Sequence, residues 1–157
     1  MHSSTCRRLA LCAAVAVALT PFLLAGAPEV KTEYFDGKVM PLSKVLARQG
    51  VKLDADAAPH WLALVADDGK VYPLVKDDGA RMFWKDERLL NRPMRLTARR
   101  LPGSQMLQVI VVHSYHKGQL CEVYYWCDVC AIRRNEKLAV CECCGGPMEL
   151  RETPVKK

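Results

Sequence analysis

Six of the eight cysteines in the chain fall between positions 121 and 144, and their spacing is the strongest chemical signal it carries. Cys127-Asp128-Val129-Cys130 and Cys141-Glu142-Cys143-Cys144 form two C-x-x-C pairs with ten residues between them. Four thiolates on two tight turns can converge on one tetrahedral ion at about 2.3 Å each, and the stretch between them is long enough for a hairpin that brings the turns together. The expected ligands are therefore Cys127, Cys130, Cys141 and Cys144, and the expected metal is zinc, with iron also compatible with a four-thiolate set. Gly145 and Gly146 follow Cys144 directly. Glycine there admits positive φ and lets backbone N–H groups turn toward the sulfurs, which tempers their charge. Cys143 adds a fifth thiol inside the second pair, so the fourth ligand is either Cys143 or Cys144; the regular spacing and the glycine behind it favour Cys144. Cys121 stands apart as a sixth thiol.

Other uses of the same cysteines compete with a metal site. In an oxidising compartment six thiols can form three disulfides, in any of 15 connectivities. Against that, a C-x-x-C pair bridged internally is strained, and bridging two such turns to each other makes an unusually tight double staple. A mixed state, with zinc on the four and Cys121 and Cys143 free or paired, is also open. A thiol–disulfide motif normally opens a helix, where the helix dipole lowers the thiol pKa. Here Cys127 follows a strand-like segment, and Ala131 to Asn135 shows no long helix. Neither pair is followed by His, so haem attachment is not supported.

The remaining chemistry-bearing residues read more simply. His113 and His116 are three apart, which on a strand points them to opposite faces, and His60 reads as a loop residue. Asp67-Asp68 and Asp77-Asp78 are each followed by glycine, which makes them turn residues before carboxylate pairs. Arg92, Arg95, Arg99 and Arg100 alternate with Met94, Leu96 and Leu101 as one solvated face of a strand. Trp61, Trp84 and Trp126 sit in apolar segments and read as core. Nothing resembles a Ser/His/Asp set, a phosphate-cradling glycine loop or a metalloprotease helix, so an enzyme is not expected.

These residues must be held by a chain of 157 residues, enough for one domain with small appendages. Half of it is apolar and a quarter charged, which excludes general disorder. Residues 1–27 differ: Arg7 and Arg8 precede an uncharged Leu/Ala/Val run that ends at Ala25-Gly26-Ala27, the pattern of an export signal. The chain is thus expected to be exported, periplasmic or secreted. The alternative is an uncleaved membrane anchor through residues 9–27, about the length of a bilayer span. Without residues 1–27 the formal charge falls from +6 to +4, and nucleic acid is not expected as a partner. An unidentified protein or small ligand is.

After a polar lead-in at 28–36, Val39 to Leu53 reads as a strand end and a short helix capped by Ser43 and stopped by Gly50. Trp61 to Val65 and Lys70 to Val75 flank Asp67-Asp68-Gly69 as a hairpin. Further strands follow at Met94–Leu101, Leu107–Ser114 and Leu120–Trp126, with Pro102-Gly103-Ser104 and Lys117-Gly118 as turns.

This order, with "DDGKVYPL", a strand, "PGS" and a Val-rich strand, resembles an OB-like domain over about residues 37–116. The resemblance implies a mainly β fold, a small OB-like barrel or half-barrel with one short helix. No run of aromatics at strand positions stands out as a stacking platform, so the ligands of such domains are not carried over. Residues 121–150 resemble a zinc ribbon or the knuckles of rubredoxin-like sites, with a shorter loop and the extra Cys143. The organisation expected is 1–27 signal or anchor, 28–36 flexible lead-in, 37–120 OB-like β domain, 121–152 cysteine-rich module and 153–157 tail. Its function is expected to be that of a binding or assembly module with a structural four-cysteine zinc site. The alternative is a metal-handling or thiol-redox protein that uses Cys121 and Cys143 in exchange.

Overall fold

A computed structural model describes residues 31–156 of the chain. They form one eight-stranded, antiparallel sheet, and two short helices lie in its connections. The strands are β1 (Thr32–Pro41), β2 (Leu62–Ala66), β3 (Val71–Pro73), β4 (Pro93–Arg100), β5 (Leu107–His116), β6 (Gln119–Cys127), β7 (Ile132–Arg134) and β8 (Glu149–Pro154). The helices are α1 (Leu42–Ala47) and α2 (Met82–Lys85). Neighbours run β3-β2-β1-β4-β5-β6-β7, and β8 pairs with β6. Tyr125 of β6 is paired with both Arg134 and Leu150, so β7 and β8 occupy opposite edges of β6.

The expected hairpin is present between β2 and β3, with Gly69 at φ 82° where a side chain would be strained. β1 begins at Thr32, inside the segment read as a flexible lead-in, because Phe35 is buried against Tyr72, ring centroids 5.2 Å apart. α1 starts at Leu42 with Pro41 at the cap position, so Ser43 lies within the helix and caps nothing.

The sheet is open. β3 is only three residues long, and just past it the Leu74 N–H still donates to Leu62 O at 2.9 Å. The β3 end curls toward β5 through a single parallel bridge, Leu74 to Leu107, with the Val75 N–H donating to Leu107 O at 2.9 Å. Membrane anchoring through residues 9–27, and with it an anchored location, gains no support: among the described residues no helix is long and apolar enough to cross a membrane. Residues 1–27 themselves lie outside the described residues.

Inward positions alternate along β4 and β6 and, with buried residues of β1, β2 and β5, build one core that includes Val39, Leu64, Leu74, Met94, Leu96, Leu107, Val123 and Tyr125. Each such side chain stabilises the fold by roughly 1.5–3 kcal/mol relative to exposure. In β5 the alternation shifts, because a bulge opposite Thr97/Ala98 leaves Ile110 unpaired and 38% exposed within the Val-rich run. β6 keeps strict alternation, so Cys121, Val123, Tyr125 and Cys127 all face inward.

Two local devices fix the connections. Gly79 follows Asp77-Asp78, yet what it answers to is close approach: a Cβ there would stand 1.9 Å from the Val109 carbonyl oxygen. Asp86, 2% exposed, accepts from the Arg88 guanidinium and backbone N–H and from the Tyr125 hydroxyl at 2.7 Å, which ties the segment after α2 to β6. The Arg88 hydrogen bond, against the cost of burial and with help from Tyr125, holds the Asp86 carboxyl well below the usual carboxylate range.

Gly79→Ala is expected to cost about 3 kcal/mol, from overpacking against backbone that cannot yield, read as a lowered urea midpoint. Because the folded-state pKa of Asp86 is depressed, its contribution is fully present above the unfolded value near 4 and is lost as pH falls through the folded value. Urea midpoints taken from neutral pH down to about pH 2 are therefore expected to fall on the acid side, and Asp86→Asn to make that limb shallower. An unchanged limb would show that Asp86 is not a carrier of acid sensitivity.

Candidate metal centre

The chain builds two reverse turns at one end of β6. The first is the β6–β7 connection, closed where Cys127 pairs with Ile132. Cys130 leads into Ala131 at φ 53°, a left-handed backbone on a residue with a Cβ. The second turn is closed by the Val140–Pro147 bridge. Inside it the Cys141 N–H donates to Gly146 O at 2.7 Å and the Gly145 N–H to Cys141 O at 2.8 Å, with Gly145 at φ 71°. The two knuckles thus repeat one device: C-x-x-C followed by a left-handed residue.

These turns bring the Sγ atoms of Cys127, Cys130, Cys141 and Cys144 within 4.8 Å of one another. A tetrahedral ion with sulfur ligands at about 2.3 Å needs sulfurs about 3.8 Å apart, so the set fits zinc after small rotations. The Sγ atoms of Cys127 and Cys144 are 3.5 Å apart, well beyond a covalent bridge of about 2.05 Å. All six cysteines between 121 and 144 are free thiols. Cys127 and Cys141 are buried, Cys130 is half-buried and Cys144 exposed.

Backbone amides set the charge. The N–H groups of Cys144 and Cys143 bring the Cys141 thiol down to about 7. Cys127 receives N–H groups from Cys130 and Val129, which favour its thiolate, yet burial and the adjacent Cys144 and Cys141 thiols leave it above its usual range. Cys130 is pushed well up by the Cys143 and Cys144 thiols and by desolvation. The Gly146 N–H lies 3.4 Å from Cys144 Sγ, the amide-to-sulfur contact anticipated for the glycines.

Surrounding side chains brace the turns. Asp128 accepts from the Trp126 indole at 3.1 Å and from Arg151 of β8 at 2.6 and 2.7 Å, and Arg134 pairs with Glu142 across the two knuckles at 3.2 Å. Cys121 is buried in β6 away from the cluster, and Cys143 is exposed at its edge. His113, His116 and His60 do not join it. Asp68 pairs with Lys70, and Asp77 accepts from Gln108 at 3.0 Å, so both acidic pairs have structural partners.

A second feature escaped the sequence reading. On the outer face of β1, β4, β5, β6 and β7, Arg95 lies between the Tyr34 and Tyr115 rings, and Arg133 lies 4.5 Å from the Tyr124 centroid. Trp126 meets Tyr124 edge-on at 6.2 Å and is not core; Trp61 is 41% exposed. A trough of about 700 Å³ crosses this face, lined by Tyr34, Arg95, His113, Glu122, Tyr124 and Arg133 among others. Burial pushes the His113 pKa down, and its Nδ1 has no hydrogen-bond partner. The signal available was Tyr124 and Trp126 two apart on one strand; their arginine partners come from other strands.

Compared with known proteins, the chain matches no family model, no curated protein and no solved structure.

A left-handed residue with a Cβ costs about 1–2 kcal/mol, partly offset in the comparison with glycine by chain entropy. Ala131→Gly is therefore expected to stabilise the protein by about 0.5–1 kcal/mol and Gly145→Ala to destabilise it by about 1–2 kcal/mol, both read from denaturant midpoints. The reverse order would mean the two knuckles are not equivalent turns.

Proposed function

We propose that the chain is a non-enzymatic binding or assembly module whose C-terminal ribbon is held by one structural zinc ion on Cys127, Cys130, Cys141 and Cys144. The observation that carries this reading is the convergence of four Sγ atoms within 4.8 Å on two knuckles of the same design. Four protein sulfurs leave no open coordination position for a water, so the ion supplies folding free energy, on the order of 10 kcal/mol in small zinc domains, and no reacting group. Buried Cys127 and Cys141 would anchor it from the core side, and Cys130 and Cys144 would close it from the solvent side.

The sheet that carries this ribbon is proposed as an OB-like half-barrel over residues 37–120. The order β3-β2-β1-β4-β5 and the parallel Leu74–Leu107 bridge support that architecture. Residues 121–152 are proposed as the cysteine-rich module, with β6 common to both. The binding role draws its support from the aromatic and guanidinium face and its trough.

Native mass spectrometry of the full chain is expected to find one zinc per protein, retained in Cys121→Ser and lost in Cys127→Ser. Chelation is expected to raise amide exchange in the knuckles between Cys127 and Pro147 while β1, β4 and β5 stay protected. A metal-free chain six hydrogens light would mean three disulfides and would sink the reading, as would knuckles equally protected with and without metal.

A further inference from the structure

The cluster holds more sulfur than one tetrahedral ion uses, and the surplus sits on one side. Its core half, Cys127 and Cys141, is buried; its outer half consists of half-buried Cys130 and of Cys143 and Cys144, consecutive in sequence and both exposed. The Cys143 and Cys144 thiols are both neighbours of Cys130, and Cys144 is the one within the convergent set. Beside them a cavity of about 190 Å³ is lined by Cys141, Cys143, Arg134 and Met148 among others, which leaves room for the Cys143 side chain to turn.

The backbone is built to allow that turn. The second knuckle is pinned at its base, through Cys141 N–H to Gly146 O and Gly145 N–H to Cys141 O. Its apex carries Cys143 and Cys144 and is followed by Gly145, around which a Cβ would meet nothing within 4 Å. An apex that rotates about a fixed base can present either of two adjacent thiols without disturbing Cys127 or Cys141.

We infer that Cys143 is an alternative fourth ligand, and that the bound thiophilic ion exchanges its outer sulfur between Cys144 and Cys143. This rests on the four-thiol metal reading. In the exchange a Cys143 sulfur–metal bond forms as the Cys144 sulfur–metal bond breaks. Cys143 gives up its thiol proton to water and the departing Cys144 thiolate takes one up, so charge, protons and oxidation state are unchanged. The consequence is a site anchored on three sulfurs whose fourth is always replaceable, the arrangement that lets an incoming thiolate enter without full dissociation of the ion.

Cobalt(II) titration of the full chain tests this, because thiolate-to-cobalt charge-transfer absorption grows with the number of bound sulfurs. Cys143→Ser and Cys144→Ser are each expected to keep the intensity of the unsubstituted chain at one cobalt per protein. The double variant is expected to lose about a quarter of it, one sulfur of four. If Cys144→Ser alone loses that quarter, or loses the metal, Cys143 is not a ligand and the inference is wrong while the metal site stands. If the unsubstituted chain takes up no cobalt and no zinc, the underlying metal reading fails and this inference falls with it.

Discussion

Strand β6 is the constraint on which both halves of the molecule depend. Its inward row runs Cys121, Val123, Tyr125, Cys127, so the residue that closes the core at that end is also the first thiol of the cluster. Slipping the strand by one residue would turn Cys127 outward and Trp126 inward, and every apolar member of the row would leave the core with it. Pairing on both edges prevents the slip: β5 and β7 on one side, β8 on the other. Tyr125 adds a hydrogen bond to buried Asp86, which binds the row to the segment after α2. The direction of the Cys127 thiol is thus decided by sheet register, before any ion arrives.

Electrostatics follow the same logic of elements meeting across the sheet. Three of the four arginines of β4 and the turn before it are paired in place: Arg92 with Glu152, Arg95 with Asp36 and Arg100 with Glu33. With those partners most of the cluster is an ion-paired strand face, and Arg99 alone adds a positive charge to it. Arg95 and Arg133 are held by Asp36 and Glu122 with their planes near aromatic rings, which pre-orders the trough at modest cost because the side chains are already fixed. Single exposed pairs of this kind contribute about 0–1 kcal/mol each, so they order a surface more than they stabilise a fold.

What could be read in the chain was whatever is local. The β2–β3 hairpin, the strands β4, β5 and β6 and the two C-x-x-C turns all declare themselves in runs of a few residues. What could not be read is what arrives from a distance. Glu152 reaches Ser114 and Arg92 from β8, and Arg151 reaches Asp128, across separations no periodicity encodes. Gly79 looked like a turn residue because the Val109 carbonyl that demands it lies on another strand. The Ile110 bulge broke the alternation of β5, and the aromatic and guanidinium face went unseen because its members come from five strands. The barrel reading came from strand order, and the sheet is open because a single bridge, Leu74 to Leu107, is all that joins the β3 end to β5.

Four cysteine sulfurs at the end of β6 are placed to hold one metal ion. X-ray absorption at the zinc edge of the metal-loaded full chain measures this directly, as the number, type and distance of the atoms bound to the ion. Four sulfurs at about 2.3 Å are the result this structure predicts. Nitrogen or oxygen neighbours, or fewer than four sulfurs, would contradict it.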